Sequence, residues 1–497
     1  MLNVRETLLK LPCIEKKERL KAKENYFFYK GKCIDKKLAE IDKTLLGQSW
    51  IVDDNVDYTP TQDIRNKVKP LLKKQARFMF GKEPFIIFKP DDMNENDKCE
   101  SLRKFIDDIF EVNQFWKNTK KAFLMSTIKK RVLLRVEANP DKPILIKYEN
   151  IEDFYYKEQN GKLLEVKFFE EDENNVFVEE DTKKIYYIHN YYYDRRSDEV
   201  EIEAYYKRQI FKGEDLQTPI EEMIQATGFN KIPCWLIKNG GELGDKFGES
   251  DVDELRELQN QYNRKNSDFA DALRFQMFGA ESIIDGNPED VNKLTIAPNA
   301  IHAIRTDGDA AANGKQASHN RLEYNFGGAD AINSYLDRID SDMKDILDIP
   351  DIKDLNNIPS AKAMKYMYND LIGRCEEKWS DWEPVFKDLI DFIIEAAPYS
   401  YKGLFNSEWS TLKYTTLFTH NYPLPADEED KKKIAISEVQ ANVRSRKSYI
   451  KEFSDEEDDK RAFDEILDEI VQITNSETDQ YNKSLDTELD NVNNEVE

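Results

Sequence analysis

Two helical patterns separated by a non-helical insert constrain this chain more than any other feature. Ser250 is a favourable N-cap, and the acidic start DVDEL suits the positive end of a helix dipole. Val252, Leu255, Leu258 and Tyr262 follow at helical spacing, with Phe269 and Leu273 further on. One helix is therefore expected to run to about Phe278, roughly 43 Å at 1.5 Å per residue. Asp330 to Leu347 repeats the pattern, with Ile332, Leu336, Ile339, Met343 and Ile346 on one side, and Pro350 ends it. Between them, residues 279–328 read as a small insert: a strand-like Glu281 to Ile284, the turn DGNP, and glycines and alanines around 307–314. A polar helix pair with one thin apolar stripe is short of contacts for a monomer, so partners on neighbouring copies are expected.

The flanking sequence predicts a mixed α+β chain. A helix over 66–80 carries Val68, Leu71, Leu72, Ala76 and Phe78, with Pro70 in its first turn and Gly81 as its stop. PFIIF at 84–88 reads as a short buried strand, followed by helices at about 97–113 and 114–128 and a strand RVLLRV at 131–136. Runs rich in Tyr, Phe, Ile and Val at 147–156, 163–169, 175–179, 185–193 and 200–210 alternate with polar turns, which predicts an antiparallel meander. A loop over 351–360 leads to a helix at about 361–397, which Pro384 is expected to kink or split. A strand at 414–418 and two or three short helices over 427–473 follow.

Charge and motifs narrow the function. The chain has 73 basic and 98 acidic residues, a net charge of −25, so its general surface should not grip nucleic acid. Residues 454–497 carry −13 of that total, and the end of the chain is expected to be disordered. No apolar run approaches the length of a membrane span, and the N-terminus lacks the apolar core of a signal peptide. Cys13, Cys33, Cys99, Cys234 and Cys375 form no CxxC, which fits a reducing, intracellular setting and predicts neither disulfides nor zinc. Phosphate-cradle, dinucleotide, metalloprotease and nucleophile-elbow motifs are absent. The scattered His189, His302, His319 and His420 do not point to acid–base chemistry, and Glu170–Glu171 and Glu179–Glu180 read as solvated hairpin ends. The glycines of NGGELGDKFGES (240, 241, 244, 248) read as a connector into the long helix rather than an anion nest. Trp379, Trp382 and Phe386 read as core rather than a base-stacking platform.

Several segments in order resemble the portal proteins of long-tailed siphoviruses and myoviruses. They are NKVKPLLKKQARFMFGKEPFII (66–87), IPCWLIKNGG (232–241), FGESDVDELRELQNQYNRKNSDFADALRFQMFGAESIIDG (247–286), SAKAMKYMYNDL (360–371) and PLPADEEDKKKIAISEVQANVRSRKSYI (423–450). The resemblance implies an α+β portal fold: an α+β wing over 1–248 and 361–426, and stem helices at 249–278 and 329–348. It further implies a small β-containing clip at 279–328, a tunnel loop at 349–360, an α-helical crown at 427–475 and an acidic tail at 476–497. It implies a dodecameric ring at the capsid vertex of the virion, assembled in the host bacterial cytoplasm, with double-stranded DNA passing through. Terminase, major capsid and scaffold proteins and a head–tail adaptor would be its partners, with no membrane, metal or cofactor. Another ring-forming head–tail adaptor or tail protein is the alternative, and an enzyme with a cryptic carboxylate site the weaker one.

The candidate residues follow from that frame. The tunnel loop would present Asp351, Lys353, Asp354, Leu355, Asn356 and Asn357, a mixture that touches phosphate without holding it. Asp337, Asp340 and Asp345 would line the channel, and Lys293, Arg305, Lys315 and Arg321 would meet partners at the clip. ATP hydrolysis would belong to the terminase. Rigorously purified protein should therefore turn over no ATP in a phosphate-release assay.

Overall fold

The computed structural model describes residues 4–31, 61, 63–193, 203–277, 281–293, 304–321, 327–351, 361–401, 403–420, 422–424 and 428–441, with isolated positions from 443 to 467. The helices among them are α1 (Val4–Leu9), α2 (Cys13–Lys30), α3 (Val68–Phe80), α4 (Asn96–Val112), α5 (Phe115–Lys129) and α6 (Asp251–Met277). They continue with α7 (Pro288–Val291), α8 (Gly308–Ala312), α9 (Ala329–Ile346), α10 (Ala361–Met367), α11 (Asn369–Ser400) and α12 (Glu428–Gln440). The strands are β1 (Phe85–Pro90), β2 (Arg131–Glu137), β3 (Leu145–Asn150), β4 (Phe154–Gln159), β5 (Lys162–Glu171) and β6 (Ile185–Tyr193). They end with β7 (Ala204–Lys212), β8 (Glu221–Ala226), β9 (Cys234–Lys238), β10 (Glu281–Ile284), β11 (Ser318–Arg321) and β12 (Tyr414–Thr419). The chain divides into two units; α12 lies in the smaller, and the elements from α1 to α9, with α11 and β12, lie in the larger.

The expected meander is present as a five-stranded antiparallel sheet in the order β4-β5-β6-β7-β8. Its inner face packs Phe154, Val166, Phe168 and Tyr191 against Leu133, Ile151, Ile232 and Cys234. Two details of the meander differ from the sequence reading. Residues 147–156 are not one strand: a turn closed by Asp153 N–H to Asn150 O (2.9 Å) separates β3 from β4. β3 pairs with β2 in the sheet β3-β2-β9, whereas β4 pairs with β5. Burial drives this step, because Ile151 and Phe154 on either side of the turn enter the same core. Residues 175–179 are not a strand either. A 3-10 turn, Glu173–Phe177, forms because the Asp172 carboxylate accepts the Asn174 amide (2.9 Å) and Asn175 exchanges two bonds with Ile185 (2.6 and 2.9 Å). Asp and Asn turn chemistry prevails over the β preference of Val176 and Phe177. Strand β8, polar in sequence, was not foreseen.

β1 is paired with β12 alone and alternates: Ile86 and Phe88 are buried, whereas Phe85 and Ile87 are exposed. α3 starts two residues late, so Pro70 does fall in its first turn. Pro384 does not split its helix, which runs unbroken from Asn369 to Ser400; the break lies earlier, between α10 and α11 at Tyr368. Buried Trp382, Phe386, Leu389 and Ile390 anchor the helix on both sides of the proline, so packing outweighs the missing hydrogen bond.

Those residues belong to the densest aromatic cluster described. Phe80 meets Phe123 and Trp382 edge-on (centroids 5.5 and 5.7 Å), Phe115 meets Phe386 at 5.4 Å, and Phe110 stacks on Phe115 at 4.2 Å. The Trp379–Trp382–Phe386 stripe is thus core, as the helical spacing indicates. His420 borders this cluster, its ring 4.2 Å from that of Trp379. Burial pushes its pKa down to about 4. Its neutral form is favoured on folding, so its contribution is complete above the unfolded pKa of about 6.5 and is lost as pH falls toward 4. His420→Phe should lose about 1–2 kcal/mol less stability than the wild type between pH 7 and pH 4.5, read from urea midpoints.

Candidate functional site

The two long helices pack against each other as an antiparallel pair. The start of α6 lies beside the end of α9, and the insert carrying the β10–β11 hairpin joins their far ends. Val252, Leu255 and Tyr262 on α6 and Leu336, Ile339 and Met343 on α9 are the buried apolar residues of the pair. Leu258 is only half-buried and Leu273 is 40 % exposed, so the apolar stripe is shorter than the sequence pattern. Buried Gln259, Asn263, Asn266, Ser267 and Asp271 take up much of α6 instead.

Each helix end is built by local chemistry. Ser250 caps α6: its hydroxyl accepts the Val252 amide (3.3 Å) and donates to Ile128 O (2.7 Å), tying the helix to the end of α5. Gly248 precedes it at φ +78°, where an added Cβ would lie 2.8 Å from Lys130 O, so only glycine fits. The end of α9 is a Schellman motif. Asp348 adopts φ +55°, its amide bonds Asp345 O (3.0 Å), and the Ile349 amide bonds Lys344 O (2.9 Å). Pro350 follows this stop rather than making it.

At this common base lies a buried polar node. Asp251, the first residue of α6, accepts from Lys378 Nζ (2.9 Å) and Asn239 Nδ2 (3.0 Å). Lys378 also donates to Asn239 Oδ1 (2.8 Å). Burial alone would raise the Asp251 pKa, but Lys378 and Arg374 outweigh it and hold the carboxyl below its ordinary value. Arg374 reaches both helices from α11. Its Nη2 lies 3.6 Å from Asp251 and 3.4 Å from Glu254 at the α6 start. Its Nη1 donates to Ile346 O (2.9 Å) and lies 3.6 Å from Asp348 at the α9 end. Acids at a helix start and a cation at a helix end complement both dipoles at once. The glycine connector is fastened here too: the Gly240 amide donates to Asp381 (3.0 Å), so a carboxylate of the chain occupies it. Sequence reading found the acidic start of α6 but not Asn239, Arg374 or Lys378, which come from segments far along the chain.

The sequence-predicted residues fall in different settings. Asp337 and Asp345 lie on the exposed face of α9. Asp340 does not share that face: it is half-buried, with Lys67 at 2.9 Å and Lys344 at 2.7 Å. Lys344 also reaches Asp351 (3.2 Å), which fastens the start of the expected tunnel loop to α9. Lys353, Asp354, Leu355, Asn356 and Asn357 lie outside the described residues, as do His302, Cys33 and the tail at 476–497. In the insert, Lys293 and Lys315 are exposed. Arg305 grips Asp290 through Nε and Nη2 (2.9 and 3.0 Å), and its amide bonds the same carboxylate. That grip, led by the side-chain hydrogen bonds, draws the Asp290 pKa down to about 2. The backbone of Arg321 pairs with Glu281 across the hairpin.

Among the described residues, His189 and a cleft beside α2 are taken up by structural pairings. His189 is committed within the sheet, its Nδ1 2.7 Å from Tyr206 Oη and its Nε2 3.2 Å from Glu170. A cleft of about 790 Å³ beside α2 holds Arg5, Lys16 and Lys129, each paired with Glu171, Glu6 or Glu152. Among the described residues, no group of His, Cys, Asp and Glu could hold a metal, and no helix is long and apolar enough to cross a membrane. Cys13, Cys99, Cys234 and Cys375 are unpaired thiols.

Compared with known proteins, residues 10–476 match the family model described as phage portal protein, SPP1 Gp6-like. No curated protein matches the chain.

The node generates a stability prediction. Lys378→Met leaves Asp251 buried with the Asn239 hydrogen bond and, of its cations, only the more distant Arg374, and should cost about 3–5 kcal/mol in urea unfolding. Adding Asp251→Asn, which removes the stranded charge, should recover part of that loss.

Proposed function

The chain belongs to the SPP1 Gp6-like family of phage portal proteins, and from that premise we propose how its parts divide the work. A portal protein is a structural component of the phage capsid and serves DNA packaging. In our reading the copies form a dodecameric ring at the unique vertex of the virion, assembled in the host bacterial cytoplasm. Residues 1–248 and 361–426 make the wing, 249–278 and 329–348 the stem, 279–328 the clip, 349–360 the tunnel loop and 427–475 the crown. Double-stranded DNA passes along the axis. Terminase and later a head–tail adaptor dock at the clip, and major capsid and scaffold proteins meet the wing.

One observation carries this assignment: an antiparallel helix pair bears a β-hairpin insert at one end and is bolted to α11 at the other. The polar stem faces suit a channel. A moving duplex must not be held, and many cations on its phosphates would make a tight, salt-sensitive site. Exposed Asp337 and Asp345 repel phosphate weakly, with screening over about 8–10 Å at physiological salt. Asp340, neutralised by Lys67 and Lys344, adds little to that field. At the clip, exposed Lys293 and Lys315 are candidates for partner contacts, with Arg321 on the hairpin as a third. Arg305 must first release Asp290.

Deleting Leu355 to Asn357 should leave rings intact in electron micrographs while reducing packaged DNA length or retention in the phage. A reconstruction that puts Lys353 on the outer rim of the ring would overturn the tunnel-loop assignment.

A further inference from the structure

We propose that Thr61 and residues 63–67 form a strap that clasps the two stem helices together, and that α6 reads this strap by its backbone rather than its sequence. The strap amides at alternate residues each meet a side chain of α6. Thr61 N–H donates to Asp271 (3.0 Å), Asp63 N–H to Ser267 Oγ (3.0 Å), Arg65 N–H to Asn263 Oδ1 (3.1 Å) and Lys67 N–H to Gln259 Oε1 (2.8 Å). The acceptors stand four residues apart along α6. That register is geometric: two residues of extended chain span about 6.6 Å, and four residues of α-helix about 6.0 Å. The strap carbonyls are used as well, with Gln259 Nε2 donating to Arg65 O (2.8 Å) and Asn266 Nδ2 to Asp63 O (3.1 Å). Gln259, Asn263, Asn266, Ser267 and Asp271 are all buried, and polar side chains in such positions need partners. The strap backbone supplies them.

The clasp closes at Lys67. Its amide holds α6, whereas its ammonium lies 2.9 Å from Asp340 on α9 and 5.1 Å from the ring of Tyr262. One residue thus touches both helices. Lys67 acts as a positioning residue for the stem, and the segment before α3 becomes its third element. This assignment does not depend on ring formation.

Hydrogen exchange read by mass spectrometry on the full chain tests it. Arg65→Ala keeps the amide and should leave exchange in the strap and in α9 unchanged. Arg65→Pro removes that amide and should speed exchange in the strap about tenfold, roughly the effect of one hydrogen bond, and also speed it over residues 336–343. Should the proline variant not fold, Asn263→Ala removes the matching acceptor and carries the same expectation. Lys67→Met should speed exchange in α9 while the strap stays protected, and Lys67→Arg should restore it. The proposal fails if Arg65→Ala frees the strap as much as Arg65→Pro, or if a freed strap leaves α9 exchange unaltered.

Discussion

The contact on which the α6–α9 pair depends is the buried pairing of Asp251 with Lys378 and Asn239, with Arg374 beside it. Removing a carboxylate and an ammonium from water is costly, and the cost is met only when geometry and hydrogen bonding are both complete. Here Asn239 donates to one carboxylate oxygen and accepts from the ammonium, its backbone fixed by Lys130 O at 2.8 Å, while the other oxygen of Asp251 makes no hydrogen bond and relies on the charge of Arg374 at 3.6 Å. Apolar residues could fill the same space, but they would accept many helix orientations. A lysine, a carboxylate and an amide at hydrogen-bond distance accept few. The node therefore fixes direction where α6 begins and α9 ends.

Arg374 extends this fixation to the second helix. One guanidinium holds the start of α6 and the end of α9, so neither end can shift alone without breaking contacts at the other. α11, which supplies both Arg374 and Lys378, is itself set by Trp382, Phe386 and Leu389 in the aromatic core. The order of dependence runs from aromatic packing to α11, from α11 to the node, and from the node to the α6–α9 pair. Higher up, where the apolar stripe thins, the polar contacts of α6 and Lys67 take over.

Charge is arranged with the same economy. The total of −25 is concentrated toward the C-terminus, and many acids of the larger unit have assigned cations. Arg135 lies between Glu149 and Glu137 (2.8 and 3.1 Å), and Arg131 beside Glu15 (2.7 Å), both guanidiniums buried in β2. Surface repulsion and internal attraction thus come from one composition. Asp337 and Asp345 stand on the exposed face of α9.

Much of this was legible in the sequence. Periodicity located the paired helices, the insert between them and most of the meander, because a helix or strand buries one face and writes that face at a fixed spacing. Ser250 and the acids after it marked the start of α6 correctly, since capping is local chemistry. The ordered segments pointed to the portal family that the comparison then matched. What the sequence could not supply was partnership. Asp340 looked like a neighbour of Asp337 and Asp345, yet its carboxylate turns to Lys67, more than 250 residues earlier. Gln259, Asn263, Ser267 and Asp271 form a visible stripe at four-residue spacing, but a polar stripe acquires meaning only when an extended segment lies along it. The division of 147–156 between two sheets, the unbroken helix at Pro384 and the Arg374 bridge were likewise settled by packing. Local spacing determines which residues share a face; only the folded chain decides what that face meets, because burial and pairing are set by segments remote in sequence.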